Sequence, residues 1–284
     1  MQLQGAVRPV NADNVAMTAA LHPGVASGDN RPMTNANPWL RWLWLVPLIV
    51  VLGLAWAVWS GRVRIPEAWN PWAPLRIDAP PNLLTRFKLD RAVGDPATCQ
   101  AALAQADMRL APVADRITGD HCGFTDAARI QRTSVAVGSD FTLSCRAALS
   151  LAMWERHVLQ QAAQANLGAR VVRIEHLGSY ACRNIYGEQG RRRSQHATAD
   201  ALDVAGFVLD DGRRVRVLGD WGSKQGDVAT SSSSASPAAS GEARFLRALH
   251  DGACDYFDVV LGPDYNRAHA DHFHFDKGSV RVCR

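Results

Sequence analysis

The chain has 284 residues, with 31 Lys and Arg against 27 Asp and Glu, a formal net charge of +4, and 47% apolar and 20% charged residues. That balance excludes a disordered charged-tail protein. It also gives no support for a nucleic-acid binder, whose cations are denser and clustered, so no nucleic-acid partner is expected. Tryptophan is unevenly spread: seven of nine (Trp39, Trp42, Trp44, Trp56, Trp59, Trp69 and Trp72) lie between residues 39 and 72. The average composition therefore covers two different materials.

In chain order, residues 1–38 are polar and without periodicity and are expected to be disordered. Met33 offers an alternative start. Residues 39–60 are expected to form a transmembrane anchor, since Trp42 to Trp59 is uncharged and just long enough to cross a bilayer. Trp at both ends suits the membrane interfaces, and Pro47 and Gly53 are tolerable in lipid. Ala55-Trp56-Ala57 has the small-residue spacing of a signal-peptidase site, but it sits inside the apolar run, so an uncleaved anchor is expected. Flanking charge (Arg31 and Arg41 before, Arg62 and Arg64 after) does not set the orientation. Residues 61–82 read as a spacer; five prolines between 66 and 82 predict a stiff, extended segment.

Residues 83–284 are expected to fold as one soluble domain. All six cysteines (Cys99, Cys122, Cys145, Cys182, Cys254 and Cys283) fall within it, and none forms a C-x-x-C pair. Widely spaced and downstream of a membrane segment, they predict three disulfides in an oxidising compartment, with fifteen pairings open. The domain is therefore placed outside the cytoplasm and the N-terminus inside.

Helices are predicted at 97–107, 144–166 (ending near Gly168) and 242–253. Strands are predicted at 128–137, 169–177, 201–209, 213–219, 256–262 and 272–277, with Asp211-Gly212 turning a hairpin. The expected fold class is α+β, a mainly antiparallel sheet with flanking helices. Residues 222–241 form a Ser-rich, low-complexity loop expected to be mobile.

The chemistry concentrates in SQHATADALDV (194–204) and AHADHFHFD (268–276). If 272–277 is a strand, His272 and His274 share a face, with Asp276 beyond them. Two imidazoles and a carboxylate are the ligand set of a hydrolytic zinc site, which leaves a fourth position for water. Arg191, Arg192 and Arg193 read as a solvated loop. His269 is a candidate for orienting a ligand, and Glu175 and His176 have no assigned partner.

S-x-H, A-x-D and a late H-x-H resemble the zinc peptidases that include D-alanyl-D-alanine peptidases, the Hedgehog signalling domain and lysostaphin-type endopeptidases. More closely, the chain resembles the bacterial extensin-like C-terminal domain family over residues 70–284. NPWAPL (70–75), PPNLLTRFKL (80–89), GSYACR (178–183), SQHATADALDVAGF (194–207), FLRALHDGACDYF (245–257) and VLGPDYNRAHADHFHFD (260–276) carry that likeness. The resemblance implies a Hedgehog/D,D-peptidase-like fold and Zn2+ ligands at His196, Asp203 and His274. It implies catalytic roles for Asp271 as general base, for His272 beside the reacting oxygen, and for Arg183 on substrate charge. It departs from the peptidases at Ala199, where they carry glycine.

The expectation is thus an inner-membrane, single-pass protein with a periplasmic zinc hydrolase domain acting on the peptides of peptidoglycan, either as a D,D-carboxypeptidase or as an endopeptidase. The rival expectation is a non-catalytic wall-binding module that keeps the metal site.

Overall fold

A computed structural model describes residues 38–222 and 240–284. The expectations for residues 1–37 and for 223–239 of the Ser-rich loop lie outside the described residues. The chain divides into two units, Met1–Arg64 and Ile65–Arg284.

In the first unit, α1 (Pro38–Trp59) carries Pro47 in its interior. Its stretch Trp42–Trp59 is long and apolar enough to cross a membrane, and none of it is buried. Its length and composition suit a membrane anchor or a signal sequence.

The second unit begins with residues expected as a free spacer, and here the expectation needs correction. Ala73, Leu75 and Ile77 are buried. Arg91 donates to the carbonyls of Pro71, Trp72 and Ala73 at 2.8, 2.9 and 2.9 Å. Lys88 takes the Glu67 carbonyl at 2.6 Å, and His157 the Ile77 carbonyl at 2.8 Å. The physical reason is that the prolines leave the segment few internal hydrogen bonds beyond one 3₁₀ turn at Glu67–Trp69, so its remaining carbonyls are offered to nearby donors. The segment is irregular, as the prolines dictate, yet it is part of the domain.

Helices α2 (Thr85–Val93) and α3 (Pro96–Leu103) follow, the latter capped by Asp95, whose carboxylate accepts from Thr98 N. Then come β1 (Arg109–Pro112), β2 (Arg116–Gly119), β3 (Cys122–Phe124), β4 (Ala127–Arg132), β5 (Ala136–Val137) and β6 (Phe141–Ser144). The predicted strand 128–137 is two strands in two sheets, broken where Thr133 N turns back to Val135 O. The long helix appears as α4 (Cys145–Trp154), a π turn (Glu155–Leu159) and α5 (Gln160–Leu167), closed by Gly168 at φ 63°.

After β7 (Val171–Gly178) come β8 (Ala201–Leu209), β9 (Arg214–Arg216) and a four-residue turn, α6 (Val217–Asp220). The strand predicted to Gly219 stops early because Arg216 N bonds the Asp220 carboxylate at 2.8 Å and Gly219 takes φ 101°. Helix α7 (Gly241–Ala253) precedes β10 (Val259–Leu261), β11 (Phe273–Asp276) and β12 (Val282–Cys283).

The largest sheet runs β12-β10-β11-β8-β7-β5, with β9 also on β8; β1-β4-β6 and β2-β3 form two smaller sheets. Pairing is antiparallel except at the edges of the large sheet, β10–β12 and β5–β7. This is the expected α+β, mainly antiparallel class. Strand β8 is its hub, with β7 along one edge and β11 then β9 along the other. Gly206 permits the close approach of β9, since a Cβ there would lie 2.8 Å from the Val215 carbonyl. Beneath the sheet, Trp154, Phe207, Phe245, Phe257, Phe273 and Phe275 are fully buried. All six cysteines pair, as Cys99–Cys145, Cys122–Cys182 and Cys254–Cys283.

Candidate metal centre

Antiparallel pairing of β11 with β8 sets His274 directly opposite Asp203 and Phe273 opposite Val204. Alternation then separates the two faces of β11. Phe273 and Phe275 enter the core, while His274 and Asp276 project from the other face with His272 just before them. The third residue, His196, sits on a 3₁₀ turn (Gln195–Thr198) capped by the Ser194 hydroxyl and ended by Ala199 in the left-handed region, φ 56° and ψ 26°. That settles why glycine is natural at this position: an L side chain there is strained by about 1–2 kcal/mol. Asp200 holds the turn in place through a paired salt bridge with Arg146 and hydrogen bonds from Ser144 and Thr198. Its backbone accepts from Lys277 N at the far end of β11.

His196, Asp203 and His274 are all buried, and their ligand atoms lie within 4.8 Å of one another. His196 Nε2 is 3.1 Å from Asp203 Oδ1 and 3.2 Å from His274 Nδ1, and His274 Nδ1 is 2.9 Å from Asp203 Oδ1. The outward nitrogens are also committed. His196 Nδ1 bonds the Ser179 carbonyl, so it carries the hydrogen. His274 Nε2 donates to Asp276 Oδ2 at 2.9 Å. Both inward nitrogens are thereby left as lone pairs beside a carboxylate, the outer-partner arrangement that orients metal-binding histidines.

Three acceptors cannot crowd together without a proton or a cation between them. Two ligands at about 2.0–2.1 Å from a tetrahedral zinc lie about 3.3 Å apart, close to the observed separations. The residues present therefore fit a metal ion. Without one, protonation answers the crowding. Burial pushes the His274 imidazole down, but hydrogen bonds to Asp203 and Asp276 outweigh it and raise its pKa to about 9. Burial raises the Asp203 carboxyl, and the two imidazoles more than reverse this, holding it well below the usual range.

The centre opens into a cavity of about 270 Å³. At its rim, Arg183 Nη2 lies 3.8 Å from Asp203 Oδ2, and His272 Nε2 lies 3.6 Å from Asp203 Oδ1. Asp271 is not brought into the cavity. Its half-exposed carboxylate takes His272 Nδ1 at 2.8 Å, so it orients His272 instead of facing the ligands. His269 does line the cavity, where Asn266 Oδ1 accepts from its Nδ1 at 2.8 Å. Burial first, then the neighbouring imidazoles, lower its pKa to about 4. Asn266 also donates to the hydroxyl of Tyr186, which stands at φ 58° across the mouth.

The sequence places Asp276 on the face of His272 and His274 without giving it a role, and it does not single out Ser179, Asp200 or Asn266. Asp276 alone had a usable signal, its period-two spacing from His274. A second group, His250 with Cys254 and Cys283, is no metal site, because its sulfurs form a disulfide. A larger cavity of about 500 Å³ opens beside Arg146 and Asp200 but gathers no such ligand set.

Fold and site together define a disulfide-bonded α+β domain with a buried His–Asp–His centre at the base of a cavity. The model of the extensin-like protein C-terminus family matches residues 97–284, and the chain belongs to that family. No curated protein and no solved structure matches the chain.

Proposed function

We propose that this chain is a membrane-anchored, zinc-dependent hydrolase of peptide bonds in peptidoglycan, on the pattern of the Hedgehog/D,D-peptidase-like enzymes it resembles. One observation carries the reading: three lone-pair atoms on His196, Asp203 and His274 converge, each imidazole oriented by an acceptor behind it. Zinc held there would supply Lewis acidity and activate water near neutral pH. His272 Nε2 is the group placed to take the proton of an attacking water, with Asp271 stabilising the imidazolium that results. Arg183, at the rim, is placed to hold a substrate carboxylate or developing negative charge. The carboxylate general base of the D-alanyl-D-alanine branch is replaced in this reading by the Asp271–His272 pair. The apolar helix fits an inner-membrane anchor and the three disulfides a periplasmic domain.

A second reading has a specific observation in its favour. Asp271 is turned away from the cavity, which suits a module that binds wall polymer without cleaving it. The test uses the full-length chain in detergent, measuring bound zinc per chain and turnover of purified cross-linked muropeptides, with Asp203→Asn as control. One zinc per chain and turnover lost in the variant supports the hydrolase. One zinc without turnover of any muropeptide favours the binding module, and no metal in folded wild-type protein overturns both.

A further inference from the structure

The segment that carries Arg183 is a small hairpin. Asn184 pairs with Arg193 in an antiparallel bridge, Ile185 N bonds Arg192 O at 3.0 Å, and Ser194 N bonds Arg183 O at 3.1 Å. In that register Ile185 faces Arg192 and Arg183 faces Ser194. Residues directly opposite share a face and successive residues alternate. Arg183, Ile185, Arg192 and Ser194 therefore project together, and all four line the cavity. Arg193 also borders the cavity, but its guanidinium does structural work: it holds the Asp120 carbonyl at 3.1 Å and Asn184 Oδ1 at 2.9 Å.

Arg192 is different. It is exposed, and among the described residues it enters no ion pair. Its root is diagonal to that of Arg183, a relation that spans about 7–8 Å. The carboxylates lining the cavity, Asp203 and Asp276, are both engaged by imidazoles. Among the described residues Arg192 thus has no carboxylate partner, and its guanidinium can take one that arrives from solution.

We propose that Arg192 is a specificity-determining residue, forming with Arg183 a two-cation wall that selects ligands carrying two separated anionic groups. This rests on the reading of the cavity as a substrate site, and it narrows the substrate class to dianionic ones, such as wall peptides with a side-chain acid besides the terminal carboxylate. Exposed single pairs contribute little, whereas a guanidinium in a concave wall can take a carboxylate with two hydrogen bonds.

The test measures calorimetric binding of glutarate and of butyrate to the full-length chain in detergent, for wild type, Arg192→Gln and Arg192→Lys. Expected is a threefold to tenfold preference for glutarate at low salt, lost in Arg192→Gln and partly kept in Arg192→Lys. Because substitution removes no hydrogen bond or ion pair of the described residues and keeps the Arg192 backbone bond to Ile185, the variants are expected to fold as wild type does. Equal affinity for the two probes, an unchanged preference in Arg192→Gln, or no binding of either probe overturns the proposal. Muropeptide turnover is read separately: preference without turnover sinks the hydrolase and leaves the wall standing, and turnover without preference does the reverse.

Discussion

His274 stands directly across the sheet from Asp203, and the two meet at 2.9 Å, Nδ1 to Oδ1, while the other nitrogen of the same ring is held at 2.9 Å by Asp276. One imidazole therefore lies between two carboxylates, one facing the centre and one behind it. Asp276→Asn is expected to keep the fold and weaken metal binding by about 10–100-fold, the usual cost of losing an outer partner. Competition with a chelator measures it, and an unchanged affinity would refute the orienting role.

Acidity should act on the same centre. With His274 raised to about 9 in the metal-free protein, a proton must leave before a metal can bind. Affinity should climb with pH, about tenfold per unit for one displaced proton, and level off near pH 9. The sign for stability is opposite. A raised imidazole stabilises the metal-free fold fully below its unfolded value near 6.5, and that contribution fades as pH rises through about 9. Chelator titrations and urea unfolding, each at several pH values, check the two slopes.

Ala199 carries a left-handed backbone at φ 56° while its methyl is fully buried. Relieving the left-handed conformation is worth about 1–2 kcal/mol. Losing the buried methyl costs about 0.8 kcal/mol, and the freer unfolded chain roughly 0.4–1 kcal/mol. Ala199→Gly should thus change stability by less than about 1 kcal/mol. Ala197→Gly, equally buried and at negative φ, should cost about 1–2 kcal/mol. Equal losses in denaturant unfolding would contradict the strain argument.

Glu155 opens the π turn, with Oε2 accepting from Ser134 N at 2.9 Å and from the Ser134 hydroxyl, while Oε1 is buried without a partner. Burial, only partly offset by the bonds from Ser134, raises its pKa to about 7. Its contribution to stability is full below about 4.5 and is lost as pH rises through about 7. Glu155→Gln should match wild type at low pH and exceed it by up to about 3 kcal/mol above pH 7. A constant difference across pH would show that Glu155 does not titrate in that window.

The Pro-rich segment predicts a boundary. A chain starting at Ile65 retains the burial of Ala73, Leu75 and Ile77, and one starting at Leu83 does not. At about 1.5–3 kcal/mol for each large side chain, the shorter form should be less stable by about 3–6 kcal/mol. Equal thermal midpoints would restore the free spacer.

What could be read from the sequence follows from how local each feature is. Helix α7 and strands β8 and β11 were legible, because period and turn chemistry are written within a dozen residues. His196, Asp203 and His274 stood out as residue types in two short motifs. The short strands β1 to β3 and β6 were missed, since four residues carry too little periodicity. The boundary at residue 83 failed for another reason. Prolines tell of stiffness, but whether their carbonyls meet Arg91 or water depends on a helix packed against them. The placement of Asp271 was likewise not legible: its distance along the chain suits a base, and only the folded chain sets its carboxylate on His272.

The Cys122–Cys182 bridge ties the residue just before Arg183 to β3, and Arg193 grips Asp120 on the turn that leads into the same strand. The same segment also steadies one candidate ligand, since Ala181, next to Cys182, donates its N–H to the His196 carbonyl at 3.0 Å. Until that bridge closes, the strand end bearing Arg183 and the turn bearing His196 both lack a covalent tie to β3. Oxidation of one cysteine pair would therefore bear on both sides of the cavity at once.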